Sequence, residues 1–345
     1  MPMVPPVFPR SFCLILGLLF LAPAWAQKTD IVILTNGDKL TGEIKNLEAG
    51  LLEYSTDTMG TVQIEWRFIE QIITSKKQTI ETVDGDRLLG RLQKSESGEG
   101  VVLVTASGSF DFDPDEVVSA WPVEATVLDK IDLKLSLGYN YAKSTGISEL
   151  TTAADFQYRT QERLFSSSFR GDITSQGGAD DQNRQQFNFT YQRLLKERKF
   201  RALLAGYDVN ESISLDLRLY AGAAFGNYLV KTNHNWFSLA GGLIATRERP
   251  VTGEDTESLE AVGLMNWRYF SYATPERTLD TTLSVFPSLT ESGRWRSDLR
   301  TTFNLELAED LFWAMEFYST YDNDPIDEGA ETSDYGITTS LGWSY

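Results

Sequence analysis

The sequence predicts an all-β protein: an antiparallel transmembrane β-barrel of about twelve strands, preceded by a duplicated small β-barrel module of Sm- or SH3-like kind. Two observations predict it. From Ile131 to the C-terminus, apolar and polar side chains alternate with a period of two, in segments of about ten residues. Before that, a stretch of about 45 residues occurs twice at a constant offset of 48. Aromatic residues make up 12% of the chain, too many for a charge-swollen disordered segment. The net charge of −18 gives no basic footprint for nucleic acid.

Taken in order, residues 1–26 read as a signal peptide. Arg10 precedes the apolar run Ser11–Leu21, too short to span a bilayer comfortably, and Ala24-Trp25-Ala26 supplies a small-residue cleavage site before Gln27. Cys13, the one cysteine, would leave with it. The mature chain would then need no disulfide and bind no metal through thiolate.

Residues 27–75 and 76–125 form the two copies of a module expected in the periplasm. Asp30–Ile44 matches Gln78–Leu92, and Gly37, Gly42 and Gly60 map onto Gly85, Gly90 and Gly108. Asn36-Gly37-Asp38 and Asp84-Gly85-Asp86 are hairpin turns, because Asn-Gly and Asp-Gly adopt the positive φ that tight turns demand. Val62-x-Ile64 and Phe110-x-Phe112 supply later strands. A twice-present binding loop is one reading of the turns. A turn with a solvated basic neighbour is the plainer one.

Residues 126–345 form the predicted barrel. Ile131–Tyr141 is apolar at every odd position, and eleven further segments come after it: 149–159, 163–173, 185–194, 199–208, 214–227, 235–246, 258–269, 277–288, 294–306, 311–321 and 334–345. Leu215, Leu217, Leu219, Ala221, Ala223 and Phe225 oppose Asp216, Arg218 and Tyr220. Spanning strands need about 9–11 residues and alternate between lipid and lumen, whereas sandwich strands are about half that length. Tyr and Trp gather at strand ends, where interface girdles place them. Short connections at 160–162, 195–198, 228–234, 270–276 and 307–310 are expected at the periplasmic end, and the longer acidic ones at the other.

The C-terminal Tyr335-x-Ile337-x-Thr339-x-Leu341-x-Trp343-x-Tyr345 resembles the terminal-strand signal through which outer-membrane proteins are taken up for barrel assembly, with Tyr345 where Phe is usual. Leu133–Tyr141 and the rest of the barrel region, about 131–345, resemble a poorly characterised Gram-negative family, the salt-induced outer membrane proteins. The resemblance implies an outer-membrane location and a barrel fold; it implies no activity. Outer-membrane lipids including lipopolysaccharide, and the barrel-assembly machinery, are the partners it implies.

The site chemistry argues against an enzyme. A Ser-His-Asp triad needs a histidine near the outer rim, and His234, the only one, falls in a predicted periplasmic turn; no Gly-x-Ser-x-Gly is present. Asp322-Asn323-Asp324 lacks the glycine and closing glutamate of a calcium loop. No cofactor or metal is expected. By alternation Arg294, Arg296, Arg300, Asp280, Glu316, Asp216 and Arg218 face inward, so the first functional expectation is a narrow, water-filled, non-enzymatic pore for solutes. Pairing of the arginine row with Asp280 and Glu316 would plug it instead. The alternative is an envelope-organising tether, its barrel a closed anchor and its module holding a periplasmic protein or peptidoglycan.

Overall fold

A computed structural model describes residues 29–95, 100–123, 130–144, 146–160, 162–176, 182–211, 215–251, 253–308, 310–325 and 332–343. The predicted signal peptide, with Cys13, and Tyr345 lie outside them. The described chain is all-β, with two antiparallel sheets of 10 and 12 strands and two short 3-10 turns.

The first sheet is built from β1 (Asp30–Leu34), β2 (Lys39–Glu48), β3 (Leu51–Ser55), β4 (Thr61–Glu65), β5 (Ile69–Ile73), β6 (Gln78–Thr82), β7 (Arg87–Gln93), β8 (Val101–Thr105), β9 (Gly108–Phe112) and β10 (Val117–Pro122). The path runs β4-β3-β2-β10-β6-β7-β8-β9, and β1 pairs with both β2 and β5. Elements recur in one order, four strands, a 3-10 turn and a fifth strand, with the turns at Trp66–Phe68 and Pro114–Glu116. Trp66 Nε1 donates to the Pro114 carbonyl at 2.6 Å, joining them. Inward residues of these strands share one core, alternating with outward ones in β1, β2 and β7, while β6 is buried throughout. Val32, Ile44, Leu47, Leu52, Tyr54, Ile72, Ile80, Leu92, Leu103 and Val117 are fully buried in it.

The second sheet holds β11 (Ile131–Ala142), β12 (Ile147–Arg159), β13 (Arg163–Gln176), β14 (Gln182–Leu194), β15 (Lys199–Asn210), β16 (Leu215–Lys231), β17 (Asn235–Pro250), β18 (Thr256–Ser271), β19 (Arg277–Pro287), β20 (Trp295–Ala308), β21 (Leu311–Asp322) and β22 (Ser333–Trp343). Each expected segment is a strand, and each strand pairs antiparallel with its sequence neighbours. Among the described residues no ladder joins β11 to β22. One face is apolar: Leu135, Leu137, Leu203, Phe225, Leu243 and Ile337 are all more than half exposed on it. The opposite face carries the charges.

Alternation fails at two bulges in β16, because an extra residue on one strand reverses the facing of the residues beyond it. Between Leu215 and Leu217 the register to β17 shifts, which turns Leu215 inward to 3% exposure and leaves Asp216 on the bulge. Between Tyr228 and Val230 it shifts again, and Lys231 joins the polar face beside Trp236. The expectation that Leu215 shares the face of Leu219 and that Asp216 lines the interior is thereby corrected.

Candidate functional site

The described connections of β12–β13, β14–β15, β16–β17 and β18–β19 lie at one end of the large sheet, and the N-terminal sheet packs on that end. The junction is built of charges carried by strand ends. Glu48 closes β2, and Arg159, the last residue of β12, donates to it through Nη1 at 3.0 Å while its guanidinium lies over the Trp121 ring. Glu81, the penultimate residue of β6, meets Lys231 Nζ at 3.0 Å, with the two side chains 2% and 3% exposed. Lys231 is flanked by the Tyr228 and Trp236 rings, each 5.2 Å away. Arg87 approaches Glu81 at 3.5 Å from the other side.

Neutral contacts complete the junction. Asn233 Nδ2 donates to the Val117 carbonyl at 3.0 Å. Ala49 packs on Trp236, Phe270 and Tyr272, with the first two rings edge-on at 6.0 Å. Gly85, at φ +83°, sits so close to the Arg198 backbone that a side chain there would collide with it. The two predicted repeat turns therefore differ in role. Asn36, Gly37 and Asp38 form a free turn, closed by Asn36 Nδ2 donating to Asp38 at 2.8 Å and with open space around Gly37, whereas Gly85 is seated between exposed Asp84 and Asp86.

Burial by itself would raise the Glu48 carboxyl, but the Arg159 charge and hydrogen bond, with Lys231 and Arg268 farther off, hold it below the usual carboxylate range. Burial likewise opposes ionisation of Glu81, and Lys231 and Arg87 overcome it, so its pKa is also lowered. Both carboxylates are therefore charged partners at neutral pH.

The residues expected to line a pore are mostly paired, and at the far end of the sheet. Arg294 spans from the β19–β20 connection to Glu248 at 3.2 Å, Glu291 at 2.9 Å and Asp322 at 2.8 Å. Arg296 grips Glu260 with Nε at 3.1 Å and Nη2 at 2.8 Å, and Glu260 accepts Thr246 Oγ1 at 2.9 Å as well. Arg218 binds Glu248. Glu248 and Glu260 are 2% and 1% exposed, so this cluster is enclosed. Arg300 does face Glu316, as expected, at 3.8 Å and in the open, while Asp280 pairs with Arg268 at 3.3 Å rather than with the arginine row. Asp216, on its bulge, lies 3.9 Å from Arg249. A row of three free arginines does not form, because Arg294 and Arg296 reach across the sheet to carboxylates on β17 and β18. Trp343 stands exposed at the end of β22.

A cavity of about 280 Å3 opens on the polar face of β11–β14. Two cross-strand rungs line it: Lys134, Asp155, Ser168 and Asn188, then Asp132, Gln157, Ser166 and Thr190. Among the described residues no group of three or more His, Cys, Asp or Glu side chains is arranged to hold a metal ion.

Glu48, Glu81 and Lys231 were not singled out by sequence reasoning, and Asn233 was read only as part of a turn; Trp236, expected among the strand-end aromatics of an interface girdle, is instead buried at the junction against Ala49 and Phe270. The one available signal was Lys231, the one charged residue at an odd position of a strand whose odd positions are otherwise apolar except for Asn227. No curated protein and no solved structure matches the chain. One family model does, described as "Protein of unknown function, DUF481", and it covers residues 135–345, from β11 to the C-terminus. With well over half of its length matched, the chain belongs to the DUF481 family.

Proposed function

We propose that the chain is a non-enzymatic outer-membrane protein, exported by its N-terminal signal, in which β11 and β22 meet to close a twelve-stranded barrel and the duplicated module is held against the periplasmic mouth. In this reading it is a closed anchor that presents a rigidly oriented module to a periplasmic protein or to peptidoglycan, as the tether alternative has it. The observation that carries it is the buried Glu81–Lys231 pair at the junction. A buried pair tolerates little relative movement, since separating the charges leaves each desolvated and alone. A freely swinging module would not keep one.

The barrel part rests on the exposed apolar face and on aromatic clusters near both strand ends. Tyr158, Phe165 and Tyr191 pack as tilted rings at centroid distances of 5.9 and 4.7 Å near the junction end, and Trp295 and Tyr321 at 4.7 Å near the far end. Such rings suit the two membrane interfaces, lipopolysaccharide included. The Trp343 and Tyr345 ending suits recognition by the assembly machinery. The resemblance to the salt-induced outer membrane proteins is consistent with this and adds no activity.

A narrow pore is the second reading, and the open, water-facing placement of Arg300 and Glu316 favours it. Planar-bilayer conductance of refolded full-length protein separates the two. The anchor reading expects no steady current from the full chain, and retention of a periplasmic partner or peptidoglycan that is lost on deleting 27–125. Steady, ion-selective current from the full chain would establish the pore instead.

A further inference from the structure

We propose that the cavity on the polar face of β11–β14 is a binding site for a small neutral saccharide. The proposal rests on the barrel reading, in which that face lines the interior. Three features of the cavity define the ligand. First, its charges cancel: Asp132 lies 3.5 Å from Lys134, and Asp155 accepts from Arg170 Nη2 through both carboxylate oxygens, at 3.0 and 2.9 Å. A net anion or cation entering there would find no unmatched opposite charge, so a neutral solute is favoured.

Second, its neutral donors and acceptors are spare. Gln157, Ser166 and Thr190 form one rung on three adjacent strands. Among the described residues none of the three spends a side-chain hydrogen bond on protein. Two hydroxyls and a carboxamide in a row, each able both to donate and to accept, match a ligand that carries adjacent hydroxyls.

Third, an aromatic ring lies flat at the end of the other rung. Asn188 pairs with Gly206, which pairs with Tyr220. Gly206 has no Cβ, and one placed there would strike the Tyr220 ring and hydroxyl. The ring therefore folds down along the wall, and its hydroxyl donates to Asn188 Oδ1. A ring held against the wall beyond the rim of the cavity, tied to it through the lining Asn188, offers an apolar surface for the C–H face of a sugar whose edge meets the spare polar groups. A volume of about 280 Å3 sits at the small end of ligand sites, which suits a mono- or disaccharide. The enclosed Arg294–Glu248 cluster is drawn from β16–β18, the β19–β20 connection, β20 and β21, and none of its members lines this cavity.

The test uses full-length protein refolded in detergent that shows heat-modifiable mobility, with maltose as probe and saturation-transfer NMR as readout. Wild type is expected to transfer saturation to maltose, with competition by glucose and none by sodium glutamate. The paired substitution Ser166→Ala with Thr190→Val should weaken maltose binding at least tenfold, since it removes two hydroxyls at nearly constant shape. Tyr220→Phe, which keeps the ring, should retain more binding than Tyr220→Leu; these single-site variants guard against a fold defect in the pair. No transfer to maltose in heat-modifiable wild type would overturn the site and leave the barrel standing. Equal competition by glutamate, or an unchanged affinity in the paired variant, would equally overturn it. Absence of heat-modifiable mobility would strike the barrel reading itself, a separate failure.

Discussion

Lys231 shows how one residue can hold two sheets together. Its side chain is 3% exposed, with the ammonium bound to Glu81 and boxed by Tyr228 and Trp236. Lys231→Met should cost about 3–5 kcal/mol, because Glu81 would stay buried with only Arg87 in reach. Urea unfolding followed by Trp fluorescence measures this, and pairing it with Glu81→Leu should recover much of the loss. Arg294 and Arg300 form a second contrast. Arg294→Ser would take this partner from Glu291 and Asp322 and leave buried Glu248 with Arg218 alone, at a cost of about 3–5 kcal/mol, whereas Arg300→Ser removes only an exposed contact worth about 0–1 kcal/mol. Equal unfolding midpoints for the two variants would refute the enclosed cluster. The junction should also respond to acid. Glu48 and Glu81 have folded pKa values below the ordinary 4.5, so their stabilisation is fully present above it and is lost as pH falls through the lowered values. Limited proteolysis of the 27–125 region should be resisted at pH 7 and accelerate only below about pH 4.5.

At the scale of elements, the period of two reads directly as strands, and facing can be assigned wherever no bulge intervenes. β17 offers a clean test because its alternation is unbroken from Trp236 to Pro250. Leu243→Arg, mid-strand on the exposed apolar face, should lower stability in lipid by about 2–4 kcal/mol. Ser284→Arg, which faces Asp298 across the β19–β20 ladder, should be far better tolerated. Folding yields in vesicles with the opposite ranking would mean the apolar face is not the lipid face. β16 was harder to read. Its two bulges each add a residue that composition does not mark, and the facing of Leu215, Asp216 and Lys231 changed with them.

For the whole molecule, the prediction is a single unit spanning membrane and periplasm. The wild-type chain should fractionate with outer membranes and migrate differently in detergent gels with and without boiling. Recovery in a soluble fraction after gentle lysis would sink the reading, since an apolar face of this extent is stable only when lipid or protein covers it. No helix among the described residues is long and apolar enough to cross a membrane, so any crossing falls to strands.

Strand number and order in the large sheet and the recurrence at offset 48 were legible in the sequence, because the chemistry that sets them is local, whereas the joining of both copies into one sheet through β10 between β2 and β6 was not. Alternation depends only on neighbours two residues apart, and Asn-Gly and Asp-Gly turns act within four residues. Apart from Arg300 with Glu316, the partners of the charges were not legible. Glu81 and Lys231 stand 150 positions apart, and the Arg294–Glu248 contact passes over β18 and β19. Which carboxylate meets which cation depends on where bulges turn side chains and on which end of one sheet seats the other, and both are settled only when the whole chain packs. That is why Asn36-Gly37 and Asp84-Gly85, nearly the same in sequence, end as a free turn and a docked one.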